Sequence, residues 1–269
     1  MLEYPQIKEI MVNRLGLRDL NSYKQYLDSY LDPSKQKMIT QEDVDLLSPD
    51  NVNNYDFWKL AEEIFGVDPV YNTGFGKEMA DLDEANRRNL DIARLTGALN
   101  VIDAWKHIKL PLLEIGAGYG NFKSYVMCNT IFDYTGVDVY PKAAGIKRTL
   151  PNGMLPDEIK ARKFGIVYSS NVFQHISPKQ RLGYLLDAKE MLHENGFLIF
   201  NLFLALTPPK APSWDGRHYM QNYGQWVEIP RYQDFTRLLS TNYWVTFETR
   251  RHTDDLFTFV CRPRRQLAT

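Results

Sequence analysis

The stretch from Leu112 to Phe122, LLEIGAGYGNF, constrains this chain more than any other. Leu112, Leu113 and Ile115 form an apolar run without alternation, the pattern of a strand buried on both faces. Gly116, Gly118 and Gly120 follow at every second position. They let the backbone turn sharply and approach a ligand with no Cβ in the way. From Asn121 the pattern turns helical, so the order is strand, glycine loop, helix N-terminus. Such a junction offers backbone N–H groups and the positive end of a helix dipole to something polar.

The spacing separates the ligand classes that use such loops. A dinucleotide fingerprint needs a third Gly or Ala where Asn121 stands. A Walker phosphate loop needs a Gly-Lys-Ser/Thr ending, which is absent. What is present is an acid, Glu114, two residues before Gly116. A carboxylate there would repel a pyrophosphate, whereas it suits a ligand carrying an ammonium and a sulfonium. The stretch Glu114-x-Gly116-x-Gly118-x-Gly120 resembles motif I of the class I (Rossmann-like) S-adenosylmethionine-dependent methyltransferases.

Composition bounds the alternatives. The 269 residues can bury a sizeable core in one or two domains, with 44% hydrophobic and 24% charged residues. A net charge of -1 disfavours a nucleic-acid or membrane-surface partner. The two cysteines, Cys128 and Cys261, lie far apart and in no metal-ligand spacing, which predicts a reduced compartment and no disulfide framework, and no carboxylate/His cluster has the spacing of a metal site. The opening MLEYPQIKEI carries charges where a secretory signal has its apolar core, and no apolar run reaches the ~20 residues of a membrane helix. A cytoplasmic protein is expected.

Residues 1–106 read as an all-helical N-terminal extension or lid. Pro5 opens one helix and Leu20 to Leu31 forms a second. Thr40-Gln41-Glu42-Asp43 caps a third, and Tyr55, Trp58, Ala61, Ile64 and Phe65 line a fourth. A long helix is expected from Asp81 to about Lys106. Tyr71 and Phe75 in the loop before it are candidate lid aromatics, weighed against plain packing. These helices are also the surface expected to dock a protein partner.

From 107 to 269 the chain alternates strand and helix, the pattern of a doubly wound α/β domain. DYTGVDVY is the second strand, and Asp138 at its end lies twenty residues after Gly118. That is the interval at which an acid accepts hydrogen bonds from ribose hydroxyls. A helix is expected through Ala143, Ala144, Ile146 and Leu150. The third strand is then sought in MLPDEIKAR, with Asp157 or Ile159 near the adenine. FGIVYSSNVFQHIS supplies the fourth strand. A helix follows from Pro178 with Leu182, Leu185 and Leu186 inward and Asn195-Gly196 at its end. FLIFNLFLAL is the fifth strand. The Pro- and aromatic-rich segment 207–230 reads as a long loop. In it Trp214, His218, Tyr219, Tyr223 and Trp226 either wall an acceptor pocket or simply pack. A helix and a hairpin across HTDD close the chain.

The methyltransferase resemblance extends over these elements. It implies a Rossmann-like sheet with helices on both faces and an antiparallel C-terminal hairpin, with S-adenosyl-L-methionine as cofactor. Carried over residue by residue, it makes Glu114, Gly116, Ala117, Gly118, Gly120, Asn121, Asp138, Val139, Ser170 and Asn171 the cofactor-binding candidates. His175 is the first candidate for catalysis, as a general base, and His218 the second. The expected reaction moves a methyl group to an O or N acceptor, a small molecule or sugar. Two residues depart from the family pattern: Gly165 stands for the usual Asp and Gln174 for the usual Glu. They motivate the alternative, a methyltransferase-fold structural or binding protein with reduced or no catalysis, held in a larger assembly. A nucleic-acid methyltransferase is disfavoured by the charge balance. It is disfavoured too by Ser169-Ser170-Asn171-Val172 standing where amino-group methylating enzymes of that kind carry an aromatic Pro-Pro motif.

Overall fold

Parallel pairing organises the computed structural model of this chain, which describes residues 1–32, 39–65, 111–120, 122–123, 126, 133–206, 213–214, 217–251 and 255–265. The Asp81–Lys106 helix, Tyr71, Phe75 and Asn121 lie outside the described residues. Strands β1 (Leu112–Ile115), β2 (Tyr134–Asp138), β3 (Ile146–Arg148), β4 (Phe164–Ser169) and β5 (Leu192–Phe203) run parallel. β10 (Leu256–Pro263) is antiparallel to both β5 and β9 (Tyr243–Arg251), giving the order β3-β2-β1-β4-β5-β10-β9. The order reverses between β1 and β4, and open α/β sheets bind ligands outside such a switch point, at the carboxyl ends of the strands.

Both faces of the sheet are covered, as the unbroken burial along β1 and β4 shows. One face packs Leu113, Ile115, Val167, Leu198 and Phe200 against α6 (Pro178–Met191) and α7 (Tyr232–Asn242). The other packs Leu112, Ile166, Tyr168 and Ile199 against Phe122 and Val126. α6 starts where local chemistry dictates. Ser177 accepts from the Gln180 N–H at 3.1 Å, the Gln180 side chain accepts from the Ser177 N–H at 3.1 Å, and Pro178 fills the first turn.

A second body forms from distant segments. The N-terminal helices are α1 (Tyr4–Lys8, continuing as a π-helix over Glu9–Arg14), α2 (Leu20–Leu31), α3 (Gln41–Leu46) and α4 (Asn54–Phe65). They pack against a three-stranded antiparallel sheet made of β6 (Ser213–Trp214), β7 (Arg217–Asn222) and β8 (Gln225–Ile229). Tyr223 stacks on Tyr23 at 5.3 Å and meets Phe65 at 5.4 Å, while Trp226 meets Tyr30 at 5.0 Å. Within the stretch expected as a long loop, the described residues therefore form a small sheet roofed by helices. Tyr219, Tyr223 and Trp226 are packing residues, each at most 2% exposed.

Four other expectations are corrected. The helix sought over 143–150 is absent, and Ile146–Arg148 pairs beside β2 as the third strand. MLPDEIKAR instead holds a helical turn, α5 (Asp157–Lys160), and buries Ile159 in the main core, away from any adenine role. Chain reversal between β2 and β3 needs no helix, because three residues of strand span only ~10 Å and the connection 139–145 covers that distance easily. Asn195-Gly196 lies inside β5, which begins at Leu192. Leu182 and Leu186 face solvent, at 37% and 44% exposure.

Candidate active site

β1 delivers the glycine loop to the switch point. Gly116, Gly118 and Gly120 all have positive φ, +81°, +47° and +72°, a region open to glycine and strained for other residues. Gly116 and Gly118 differ in their surroundings. A Cβ on Gly116 would stand 2.0 Å from Val172 Cγ2, so this glycine exists to let the loop after β4 press against the loop after β1. A Cβ on Gly118 would meet nothing within 4 Å, so the space before it is open. The carboxyl ends of β1 and β4 are tied together there, with the Ser169 hydroxyl donating to the Ile115 carbonyl at 3.1 Å.

Asp138 closes one side of this corner. Its Oδ2 accepts from the Gly118 N–H at 2.8 Å and its Oδ1 from the Tyr140 N–H at 2.7 Å. Each carboxylate oxygen keeps a lone pair for a further donor. Burial pushes the Asp138 carboxyl upward in pKa, opposed by the two backbone N–H groups and the Lys142 charge, which favour the ionised form. Val139, directly after it, is half-buried. Glu114 is buried beneath the loop and accepts a hydrogen bond from the Tyr134 hydroxyl, whose pKa burial and the Glu114 charge both raise. Ala117 is buried, and its N–H bonds the Val137 carbonyl at 3.1 Å.

The connection 139–145 lies over the loop. The Lys142 N–H donates to the Gly118 carbonyl at 3.1 Å, and Lys123 Nζ reaches the Ala144 carbonyl at 2.6 Å. Helix α4 of the second body covers this connection in turn. Glu62 accepts from the Tyr140 hydroxyl at 2.8 Å and pairs with Lys142, and the Arg148 guanidinium stacks 3.4 Å over the Tyr55 ring.

On the other side of the switch point, β4 and β5 end in a cluster of neutral amides and a hydroxyl. Asn171 sits at φ +58°, and its N–H donates to Asn201 Oδ1 at 2.7 Å. Asn201 Nδ2 lies 3.3 Å from the Ser170 hydroxyl, and Gln174 Nε2 lies 3.3 Å from Asn171 Oδ1. Gln174 Oε1 is buried with no partner among the described residues, so the residue standing for the family's Glu holds an orphan acceptor at this edge. Asn201 escaped the sequence reading, although one Asn inside FLIFNLFLAL was its available signal.

His175 ends a 3-10 turn (Phe173–His175) where the two bodies meet. Its Nδ1 lies 2.8 Å from Asn222 Nδ2 at the end of β7, and its ring stands edge to face with Trp58 of α4, centroids 6.2 Å apart. Burial lowers its pKa to about 4. His218 is not brought to it. The two are linked through Asn222, which stands four residues further along the same strand from His218, roughly 13 Å in extended chain. The His218 Nδ1 is buried without a partner among the described residues, and its pKa is lowered by burial and then by the Arg231 charge. Behind His175, Arg181 is buried with its Nε donating to the Ile176 carbonyl at 3.2 Å and its Nη2 to the Glu228 carbonyl. Trp58 and Asn222 carried no functional signal in the sequence, because their relation to His175 depends on chain segments far from it. Among the described residues no group of His, Cys, Asp and Glu is arranged to hold a metal ion, and no helix is long and apolar enough to cross a membrane.

A family profile described as a methyltransferase domain matches residues 64–243, more than half of the chain. The chain belongs to that family, the class I S-adenosylmethionine-dependent methyltransferases. Among solved structures, the PH0226 protein from Pyrococcus horikoshii OT3 shares the fold, with a TM-score of 0.50 at 12% identity, over 76% of this chain and 98% of that one. The N-methyltransferase NodS from Bradyrhizobium japonicum WM9, in complex with S-adenosyl-L-homocysteine, matches with a TM-score of 0.47 at 14% identity, over 77% of this chain and 98% of that one. TehB from Haemophilus influenzae matches with a TM-score of 0.41 at 14% identity, over 61% of this chain, which spans 62% of TehB. No curated protein matches the sequence. The chain is an enzyme of this class, with S-adenosyl-L-methionine as its cofactor. The corner described above fits that group: an open approach at Gly118, a carboxylate with spare lone pairs at Asp138, and a buried acid at Glu114.

Proposed function

We propose that this methyltransferase serves an O or N acceptor of small-molecule or sugar size, bound between the strand ends and the helical roof. The observation that carries the reading is the Asp138 carboxylate, bonded to the Gly118 N–H beside the open face of the glycine loop. Asp138 would receive the ribose hydroxyls there. Gly116, Ala117, Gly118 and Gly120 would pass along the nucleoside, and Asn121, next to them in sequence, would join them in binding the cofactor. Val139 would flank the adenine, while Ser170 and Asn171 would border the methionine moiety with Glu114 offering charge to its ammonium. When bound, the cofactor supplies a methyl group made electrophilic by an adjacent sulfonium. The chain's own part is to hold donor and acceptor together and to exclude water, and proximity alone carries much of the rate in such reactions.

Size follows from enclosure. His175 lies between the sheet and the roof, against Trp58 and Asn222, which favours a small acceptor over a folded macromolecule. Calorimetric titration with S-adenosylmethionine and S-adenosylhomocysteine, beside a Gly118→Arg control, tests the cofactor half of this reading. Micromolar binding that disappears in the control is expected. No binding of either ligand at millimolar concentration would overturn it.

A further inference from the structure

The hydrogen bond between His175 and Asn222 has a direction that bears on the chemistry. An amide nitrogen carries only hydrogens to offer, so Asn222 Nδ2 donates, and His175 Nδ1, 2.8 Å away, accepts. A neutral imidazole that accepts at Nδ1 carries its proton at Nε2. Among the described residues no charged group counters this arrangement. From α4 the ring meets Trp58, from β7 it meets Asn222, and the buried Arg181 of α6 spends its Nε and Nη2 on the carbonyls of Ile176 and Glu228. Nε2 has no partner among the described residues. The His175 N–H is itself held by the Val172 carbonyl at 2.8 Å, so the backbone fixes where the ring starts.

Among the described residues no carboxylate stands behind His175 as one does behind a base histidine. In base dyads an acid accepts from Nδ1–H, which leaves Nε2 bare and raises its basicity. Here an amide donates to Nδ1, which leaves Nε2 protonated and withdraws basicity.

We propose that Asn222 is a positioning residue that holds His175 with its proton on Nε2, so that this imidazole gives the acceptor a hydrogen bond instead of taking its proton. This rests on the reading that the acceptor binds beside His175. It also narrows the acceptor class to nucleophiles that arrive with a free lone pair, such as an uncharged nitrogen, beside an atom able to accept from Nε2–H. A hydroxyl that must first lose its proton to His175 does not meet this condition.

The test is nitrogen NMR of the full chain labelled at its histidines, at neutral pH, with and without S-adenosylhomocysteine. The histidine signals are assigned by a His175→Gln variant. The expected spectrum shows His175 with a bare Nδ1 and a protonated Nε2. In Asn222→Asp the pattern reverses to a protonated Nδ1, and the His175 pKa rises by more than one unit. A wild-type spectrum with the proton on Nδ1 would overturn the proposal, because the amide would then be turned with its oxygen toward the ring. Should Asn222→Asp fail to fold, the wild-type spectrum still decides. The readout needs no cofactor, so a failure of cofactor binding and a failure of this assignment remain distinguishable.

Discussion

The two corners of the candidate site are built in opposite ways. The glycine-loop corner comes from one contiguous run, Leu112 to Gly120, closed by Asp138 twenty residues away. The His175 corner is assembled from three segments: Trp58 of α4, the turn after β4, and Asn222 of β7. The first is held by backbone hydrogen bonds and left-handed glycines, and the second by aromatic packing between segments 200 residues apart in the roof. Local geometry thus makes the glycine-loop corner, whereas burial makes the His175 corner.

Substituting the first two glycines offers the hardest test of that contrast. Gly116→Ala forces a Cβ against Val172 at positive φ. A left-handed residue costs about 1–2 kcal/mol and overpacking about 1–3 kcal/mol, so unfolding stability should fall by roughly 2–5 kcal/mol. Gly118→Ala meets open space and should lose only the backbone cost of about 1–2 kcal/mol, while its affinity for S-adenosylmethionine falls at least ~10-fold. Denaturant midpoints and calorimetry separate the two. Equal stability losses would break the distinction between a packing glycine and a ligand-facing one.

Acid titration probes the other corner. His175 is held near a pKa of about 4 against an ordinary 6.5, so between those values the unfolded chain binds the proton that the folded one refuses. Stability from this group is therefore complete above pH 6.5 and is lost as pH falls toward 4, by about 3 kcal/mol at the end of that window. Comparing wild type with His175→Gln in urea at pH 7 and pH 4.5 isolates the contribution. A difference between the two proteins that stays constant across that range would show the ring to be solvated.

The smallest effect belongs to the clasp that joins the bodies. Glu62 keeps 32% of its side chain exposed, and its pairing with Lys142 and Tyr140 is correspondingly screened. Glu62→Gln should change stability by no more than about 1 kcal/mol, with a salt dependence that vanishes in the variant. Cofactor affinity should weaken ~3-fold, because Lys142 also bonds the Gly118 carbonyl through its backbone. An unchanged affinity would show that α4 covers the loop without supporting it.

Legibility followed the same division. The strand, loop and acid of the cofactor corner could be read because each is set by neighbours in sequence, as were the Ser177 cap of α6 and the closing hairpin. β3 could not be read so. Ala143, Ala144 and Ile146 carry helical spacing, yet three residues gain a strand conformation by pairing with β2 at the sheet edge. β6 to β8 were hidden by Pro and aromatic residues that resemble a loop. Tyr223 even accepts a φ of +53° in the two-residue turn, which its fully buried ring against Tyr23, Phe65 and Trp58 offsets.

By itself the sequence determined the parallel sheet, the glycine loop and the acid that faces it, because period, capping and chain direction act over a few residues. Only the tertiary structure decided that segment 213–229 joins the N-terminal helices as one roof, and that His175 meets an amide where a base would need a carboxylate. Those outcomes depend on which surfaces find each other across the length of the chain, and burial, unlike spacing, leaves no periodic mark in the sequence.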